Sequence, residues 1–393
     1  MTALKFGLAV ENFTPAPRLP DLDAIVAYGR RAEELGYDSL WAWDHMFLGT
    51  GRPFPFLESL TTLTVLARET ETVELGTGIL VLPLRSAAVL AKTAATLELV
   101  SNGRLTLGMA VGWYEREFDA CGVPFKQRGK IFEENLELMK QFWTGERVSG
   151  EARGVPFRNA LMLPKPAPRE RPRLLIGGYV DKVLKRVAER SDGWLTYFYE
   201  PEAFSTAWTR IREYAEAAGR DPDALQNMAQ LTLCIDDSFE AADTRARQYI
   251  NDYFDLPAWS ESTAESAIRG TPEQCAEQIA AQAAAGVQHI CLVPCDYDTE
   301  QVERFAAEVM PLVSGLAVGA SGGAPTTSSP PWPRRRHWST TATSWWPAAA
   351  ATRGRRGRCC SSSCAPSAAV SPWGATSCAT SPSCSSPPGR PPS

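Results

Sequence analysis

Asp44 and His45 are well placed to do chemistry, because they directly follow an apolar, strand-like run that ends in Trp43. An imidazole gives or takes a proton near neutral pH, which suits a redox step coupled to proton transfer. Asp44 has three readings: it fixes the imidazole, it binds polar ligand atoms, or it begins the turn. For His45 the alternative is a loop cap. We predict that His45 is catalytic.

Glycines mark the other candidate positions. Gly78 and Ile79 interrupt a strand-like run, which indicates a bulge or a close backbone contact. Gly177 and Gly178 stand between a strand and a helix, where unpaired amides and the helix dipole favour a phosphate. The Gly-Thr-Gly at 76–78 lacks the third glycine and the downstream acid of a dinucleotide fingerprint.

The remaining polar residues have structural explanations. His289 begins a buried-looking strand, and Arg104 is interpreted as a solvated or helix-pairing charge. Glu115 and Glu117 follow Trp113 and are interpreted as helix-start carboxylates, with a second acid or base as the alternative. The chain carries no Ser-His-Asp order, Walker loop or metal triad, so we predict no metal site.

These residues must be positioned by a regular alternation of strands and helices. Eight apolar runs, each followed by an amphipathic helix, fill about 315 residues. This count predicts an α/β fold, a (β/α)8 TIM barrel, and a doubly wound open sheet is the rival. The predicted strands are 4–10, 39–43, 73–80, 105–111, 173–176, 193–197, 228–235 and 289–293. Segments 53–55, 148–168 and 260–270 are interpreted as insertions over one rim. In such barrels the chemistry lies at the C-terminal ends of the strands, where the candidates above fall.

The composition changes sharply near Leu316. Residues 317–393 contain no Asp, Glu, Lys, Leu, Ile, Phe or Tyr, so they have little aliphatic surface to bury, and we predict a disordered tail over 316–393. Removing its eight arginines from the 40 basic residues leaves 32 against 45 acidic ones, a net charge of −13 for the predicted barrel. Such an acidic body argues against nucleic-acid binding.

The tail has the composition expected of a GC-rich gene read in the wrong frame. We therefore hypothesise a frameshift or read-through that begins near residues 314–320; a nucleic-acid or targeting arm is the alternative for its arginine clusters. The ten cysteines lack companion histidines at zinc-site spacing. The sequence shows no signal peptide and no membrane-spanning run, so we expect a cytoplasmic protein that does not bind membranes.

Several ordered motifs give the chain a family resemblance. They are AEELGYDSLW at 32–41 with Asp44 and His45, LGTGILVLP at 75–83, SNGRLTLG at 101–108, GWYEREF at 112–118, IGG at 176–178 and SDGW at 191–194. Together they resemble the luciferase-like monooxygenase superfamily, in particular its branch of oxidoreductases dependent on the deazaflavin coenzyme F420. The tail has no counterpart in that family.

The resemblance implies a homodimeric (β/α)8 barrel that binds a flat deazaflavin at its C-terminal rim. A bulge with a non-proline cis peptide behind the ring maps to Gly78–Ile79, and Asp44 and His45 match positions beside the ring. The resemblance further implies that Val81, Val111 and Gly112 line the ring, while Gly177 and Gly178 hold the phosphate-bearing tail. Sugar-phosphate dehydrogenases of this branch have a glutamate where this chain has Trp113, which argues against a sugar substrate.

The predicted function is therefore hydride transfer between F420 and a small organic substrate. The sequence does not identify the substrate, because its pocket is built from the variable rim insertions. An FMN-dependent monooxygenase that uses oxygen is the first alternative. A non-catalytic flavin-binding protein is the second.

Overall fold

Short apolar segments form the strands of a barrel. The computed structural model describes residues 3–49, 52–197, 199–253 and 263–318. The strands in these ranges are β1 (Lys5–Ala9), β2 (Ser39–Ala42), β3 (Glu74–Val81), β4 (Leu105–Ala110), β5 (Arg147–Ala152), β6 (Val155–Leu161), β7 (Arg173–Gly177), β8 (Gly193–Tyr197), β9 (Gln226–Ile235), β10 (Ile268–Gly270) and β11 (His289–Pro294). The helices are α1 (Leu22–Glu34), α2 (Ser59–Glu69), α3 (Ala87–Val100), α4 (Glu115–Ala120), α5 (Arg128–Trp143), α6 (Asp181–Arg190), α7 (Pro201–Ala217), α8 (Phe239–Tyr253), α9 (Pro272–Ala284), α10 (Thr299–Arg304) and α11 (Met310–Val313), with a π-helical turn, Phe305–Val309, between the last two.

The barrel closes because β9 pairs with strands on both of its sides. The hydrogen-bonded order runs β9–β11–β1–β2–β3–β4–β7–β8, and β8 returns to pair with β9. The pairs of β9 with β11 and with β8 are both parallel, as expected when a helix crosses over between strands. The predicted (β/α)8 barrel is confirmed, and closure excludes the open doubly wound sheet.

The barrel strands are buried on both faces, one against the helices and the other inside the barrel. On β9, Ala229 and Leu231 belong to the core between strands and helices, whereas Met228 packs inside the barrel. Side chains alternate between the two faces of a strand, so Gln230 and Thr232 point into the barrel. This alternation decides which polar groups can reach a ligand at the mouth.

The segment 148–168, predicted as a rim insertion, lies in the connection from α5 to β7. Its first part forms the antiparallel hairpin of β5 and β6. Most hairpin side chains are exposed, so hydrophobic periodicity could not reveal the strands. At the tip, Arg153 Nη2 donates to the carbonyls of Pro83 and Arg85, each at 2.9 Å, so the tip reaches the loop after β3.

Of the two alternatives for Arg104, a solvated charge is wrong, because its guanidinium is bound to the end of a helix. Its guanidinium donates to the carbonyl oxygens of Ala67, Thr70 and Val73 at 2.8–2.9 Å. The carbonyls at the end of α2 have no partner within the helix, and Arg104 satisfies them while joining α2 to β3. A long-range contact of this kind leaves no mark in the local sequence.

His289 lies inside the barrel at its N-terminal end. Trp41 Nε1 donates to Ser39 Oγ at 2.7 Å, and His289 Nε2 lies 2.9 Å from the same oxygen. Because the hydroxyl has one proton to give, this arrangement fits a neutral imidazole whose Nε2 accepts it. Burial lowers the pKa of His289 to about 4. The geometry agrees with a structural role for this residue.

The stability of the protein is expected to fall on acidification, in part because of His289. The unfolded chain protonates this imidazole near pH 6.5, whereas the folded protein does so only near 4. The unfolded state therefore binds more protons between these values, which contributes a loss of roughly 3 kcal/mol. His289→Asn does not titrate, so denaturant unfolding should show a smaller loss for the variant across this window. Equal losses would contradict the assignment.

The predicted tail falls largely on residues 319–393, which lie outside the described residues. The domain division at 315/316, the disorder of the tail and the frameshift hypothesis all stay predictions. Among the described helices, none has both the length and the apolar character needed to cross a membrane. Within the same ranges, no group of His, Cys, Asp and Glu side chains is arranged to hold a metal ion.

Candidate functional site

Strand β3 is kinked at its C-terminal end. Its register against β4 shifts between Thr77 and Leu80, and the Gly78–Ile79 peptide bond is cis, as the resemblance implied. Thr77 Oγ1 donates to the Gly108 carbonyl at 2.9 Å. A Cβ atom at Gly108 would collide with the carbonyl oxygen of Thr77, so the close approach of the two strands requires glycine there.

The kink brings three predicted residues together at the barrel mouth. Ile79 packs over Gly177 so closely that a Cβ atom at Gly177 would overlap the isoleucine Cδ1. On the other side, the Cβ position of Gly78 is 3.4 Å from Gln230 Oε1 and 3.8 Å from Trp41 Cβ. Gly78, Ile79 and Gly177 thus share one surface, and Gln230 lies against it.

Gln230 is a buried amide without a protein partner. The side chain is 1% exposed, and neither Nε2 nor Oε1 makes a hydrogen bond within the described residues. Thr232 Oγ1, two residues further along the same face of β9, is also buried and has no hydrogen-bond partner in the part of the chain that the structure describes. A buried polar group with no partner costs about 1–3 kcal/mol, so such groups mark sites where a ligand or a water completes the bonding.

His45 is held by a buried carboxylate. Its Nδ1 lies 2.9 Å from Glu117 Oε2, with side-chain exposures of 15% and 1%. Glu117 Oε1 accepts from the backbone amides of Met46 and Phe47 at 2.5 and 3.0 Å. A carboxylate accepts the proton of Nδ1, so the neutral imidazole carries its lone pair on Nε2. This is the arrangement of a histidine that acts as a general base or general acid and whose ring is oriented by a carboxylate.

Glu117 lies where the sequence interpretation placed it, but its carboxylate has a further partner. It does lie in the first turn of α4, but its carboxylate turns inward to His45 instead of serving only the helix start. The two residues are 72 positions apart, and only the closed barrel brings them together. Glu115, two residues earlier, is exposed and fits the interpretation as a helix-start carboxylate.

Asp44 is fully engaged by protein groups. Its carboxylate accepts from both terminal nitrogens of Arg85 at 2.7 and 2.8 Å, from Ser59 Oγ at 2.8 Å and from the Val81 amide at 2.9 Å. Burial lowers the pKa of Arg85, but the carboxylates of Asp44 and Glu58 outweigh it and hold that pKa above its ordinary value. The geometry therefore makes Asp44 an anchor between the ends of β2 and β3; direct contact with a cofactor stays a prediction.

Aromatic side chains surround His45 at the rim. The imidazole meets Phe56 and Trp113 edge-on, with ring centroids 5.6 and 5.8 Å away. Phe56 stacks on Phe13 at 4.7 Å, and Phe13 in turn contacts Trp43 at 5.5 Å. Trp113 therefore contributes an apolar wall at the position where the resemblance expects a glutamate in sugar-phosphate dehydrogenases.

Val81 and Gly112 pack behind the rim. A Cβ atom at Gly112, where φ is +79°, would be 2.6 Å from Val81 Cγ1 and 2.9 Å from the ring of Phe118. Val81 and Phe118 belong to the same small apolar cluster, and Val111 is half-buried against the main core. The predicted contact of Val81, Val111 and Gly112 with a ring stays a prediction, whereas their packing against α4 and the core is observed.

The Gly177–Gly178 turn leads into α6, which begins at Asp181. The helix has no side-chain cap at Val180, so its first amides are not satisfied by a capping side chain. Gly178 has a φ of +126° and its carbonyl accepts from Trp194 Nε1 at 2.8 Å. The turn thus keeps the features of a phosphate site, although Asp181 adds a carboxylate beside it.

A cleft of about 580 Å³ opens at the same rim, between the loops that follow β1 and β11. Its described lining consists of Pro15, Pro17, Arg18, Arg52, Asp252, Tyr253 and Asp296. Arg18 donates to Glu11 and, at 2.7 Å, to the hydroxyl of Tyr253. Tyr253 also contacts Phe13 edge-on at 5.6 Å, so the cleft adjoins the aromatic wall around His45.

These features fit a flat, largely apolar heterocycle with a polar edge. The aromatic wall offers apolar contacts, and the amide of Gln230 presents an unpaired donor and an unpaired acceptor side by side. An imide edge, with its N–H between two carbonyls, complements such an amide. Deazaflavin and flavin rings both carry that edge, so this fit does not distinguish them.

Comparison with known proteins identifies a matching family and similar sequences. A profile of the luciferase-like monooxygenase family matches residues 4–289. A 5,10-methylenetetrahydromethanopterin reductase of Methanolobus tindarius is 31% identical over 223 residues, which are 57% of this chain and 65% of that protein. An F420-dependent glucose-6-phosphate dehydrogenase of Amycolatopsis mediterranei is 25% identical over 345 residues, covering 80% of this chain and 100% of that protein.

Solved structures share the fold at lower identity. A monooxygenase of Streptomyces bottropensis superposes with a TM-score of 0.69 at 22% identity, covering 78% of this chain and 99% of that one. An F420-dependent secondary alcohol dehydrogenase, solved with an F420–acetone adduct, gives 0.66 at 18% identity, covering 79% and 99%. Similarity at this level demonstrates the barrel fold.

Proposed function

The chain belongs to the luciferase-like monooxygenase family, and from that premise we propose that it is an oxidoreductase that transfers hydride between coenzyme F420 and a small organic substrate. The observation that carries the proposal is the His45–Glu117 pair at the barrel mouth. The relatives named above as F420-dependent support the choice of cofactor.

His45 manages the proton in this proposal. Glu117 fixes the imidazole through Nδ1, so Nε2 is the nitrogen that exchanges a proton with a substrate oxygen. The aromatic wall of Phe56 and Trp113 contributes apolar surface beside the imidazole. When bound, the deazaflavin supplies the hydride chemistry, while the protein supplies binding, orientation and the proton.

Gln230 is proposed to hold the polar edge of the ring. Gln230→Leu removes both unpaired polar atoms at similar volume, so we expect unchanged or higher stability together with about tenfold weaker F420 binding. Fluorescence titration measures the affinity, and denaturant unfolding measures the stability. Thr196→Val is the matched control, because the Thr196 hydroxyl is also buried and without a partner but alternates with Leu195 to face the helices. Equal affinities for Gln230→Leu and the wild type would remove this role.

Glu117 is proposed as the residue that sets the tautomer of His45. In Glu117→Gln the side-chain amide can donate to Nδ1, which moves the imidazole proton to Nε2 and should lower kcat about 10- to 100-fold. Nitrogen NMR of labelled histidine should then show a protonated Nε2 and an unprotonated Nδ1, the reverse of the wild type. Loss of packing alone does not produce this change. Glu115→Gln should alter neither kcat nor the spectrum. A normal tautomer in Glu117→Gln would contradict the assignment.

The cofactor is tested directly by titrating the purified protein with F420 and with FMN. We expect F420 to bind. An FMN-dependent monooxygenase is the second candidate, favoured by the shared fold with the Streptomyces bottropensis monooxygenase. Tight binding of FMN without binding of F420 would select that candidate. Binding of either cofactor without turnover on a panel of alcohols, aldehydes and enones would favour the non-catalytic flavin-binding protein.

The predicted homodimer belongs to the same proposal. Light scattering on the purified protein tests it without reference to activity, and a monomer would remove that expectation. The cytoplasmic location likewise stays a proposal.

A further inference from the structure

Two cysteines lie side by side at the C-terminal ends of adjacent strands of the barrel, one just before the end of β9 and one just after the end of β11. Strands β9 and β11 run parallel with Leu233 opposite Pro294. The next residue on each chain segment is a cysteine, Cys234 and Cys295. Neighbouring parallel strands lie about 4.8 Å apart, within the range of about 4.4–6.8 Å that a disulfide spans between Cα atoms.

The two side chains also share one environment. Both residues are 0% exposed, both are free thiols, and both belong to the apolar cluster inside the barrel. Asp296, which follows Cys295, is exposed, so the pair lies one residue below the surface of the C-terminal rim. Arg245 of α8 is close by, where it donates to Asp298 at 2.9 Å.

Their acidities differ in the way that an attacking and a resolving thiol require. The neighbouring Cys295 thiol lowers the pKa of Cys234, and the Arg245 guanidinium lowers it further; together they outweigh the opposite effect of burial. The nearby Cys234 thiol, together with burial, raises the pKa of Cys295. In contrast, burial raises the pKa of Cys275 to about 12 and that of Cys291 well above its ordinary value.

We propose that Cys234 and Cys295 are a covalent modification site that forms a reversible disulfide when the reduced protein meets a peroxide. The Cys234 thiolate attacks one oxygen of the peroxide, the O–O bond breaks, and a sulfenic acid forms with release of water after protonation. The Cys295 thiol then attacks that sulfur, and the S–S bond forms as the second water leaves. Two thiols and one hydrogen peroxide thus give one disulfide and two waters. A dithiol reductant reverses the modification.

The bond would tie the C-terminal ends of β9 and β11 together at the rim that carries the candidate site. The proposal does not depend on the nature of the cofactor or the substrate, because its test reads the cysteines themselves. Failure of the test would therefore leave the proposed function untouched, and failure of the proposed function would leave the disulfide standing.

The test is peptide mapping of the full-length protein after treatment with hydrogen peroxide, with differential alkylation before and after reduction. Proteolytic cleavage after Glu277 places Cys275 on a different peptide from Cys291 and Cys295. Fragmentation of the peptide bond before Pro294 in the mass spectrometer then distinguishes Cys291 from Cys295. We expect a cross-linked peptide joining Cys234 to Cys295, and reversible oxidation of Cys234 at least about tenfold faster than that of Cys275.

Single variants separate the two steps. In Cys295→Ser, Cys234 should accumulate as a sulfenic acid that dimedone traps; in Cys234→Ser, reversible oxidation of Cys295 should disappear. Cys275→Ser is the matched control and should leave the cross-link intact. The wild-type map stands even if a variant fails to fold. A cross-link from Cys234 to Cys291, or irreversible oxidation without any cross-link, would overturn the proposal.

Discussion

His45→Ala is expected to lower kcat about 10²–10⁴-fold for any substrate that the enzyme turns over with F420, because the variant has no group to exchange the proton. The affinity for F420 should change by only a few fold, since the proposed ring site is formed by the kinked β3 and by β9. Stopped-flow measurement of deazaflavin absorbance gives the rate, and fluorescence titration gives the affinity. An unchanged kcat would remove His45 from the reaction.

The controls for His45 come from the same chain. His289→Asn replaces the other described histidine of the barrel, at the opposite end from the site, and should leave kcat near the wild-type value at neutral pH. The double variant His45→Ala/Glu117→Gln tests the pair: if Glu117 acts only through His45, adding its change to His45→Ala should have little further effect on kcat. Additive losses would show that Glu117 has a separate role.

Arg85→Met is expected to lower the free energy of unfolding by about 3–5 kcal/mol, the cost of leaving a buried carboxylate without its partner. Asp44 has a side-chain exposure of 2% and Arg85 one of 11%, and the two form a bidentate pair. Since the Val81 amide also depends on Asp44, F420 binding should weaken as the end of β3 loosens. Denaturant unfolding and fluorescence titration measure the two effects.

Glu58 provides the matched control for this pair. It also contacts Arg85, at 3.0 Å, but its side chain is 40% exposed, so Glu58→Gln should cost less than about 1 kcal/mol. In Asp44→Asn/Arg85→Met neither member of the pair carries a charge, so the double variant should be more stable than Arg85→Met alone. A loss below about 1 kcal/mol for Arg85→Met would show that Asp44 finds other compensation.

The sequence was sufficient to predict the barrel and the approximate ends of its strands. Apolar runs alternating with amphipathic helices are local patterns, and they located the eight barrel strands to within a few residues. The interruption at Gly78–Ile79 was visible for the same reason, because glycine within an apolar run is a local signal. The hairpin of β5 and β6 escaped notice because its side chains are mostly exposed and give no periodicity.

The partners of the candidate residues were decided by the tertiary structure. Glu117 reaches His45 across 72 residues, Arg85 reaches Asp44 across 41, and Gln230 of β9 lies against Gly78 of β3. Residue types and spacing fix which side chains stand at strand ends, because each strand and helix reflects its own few residues. Which of them meet depends on the closure and register of eight strands, and these are set by packing that no single segment of the chain contains.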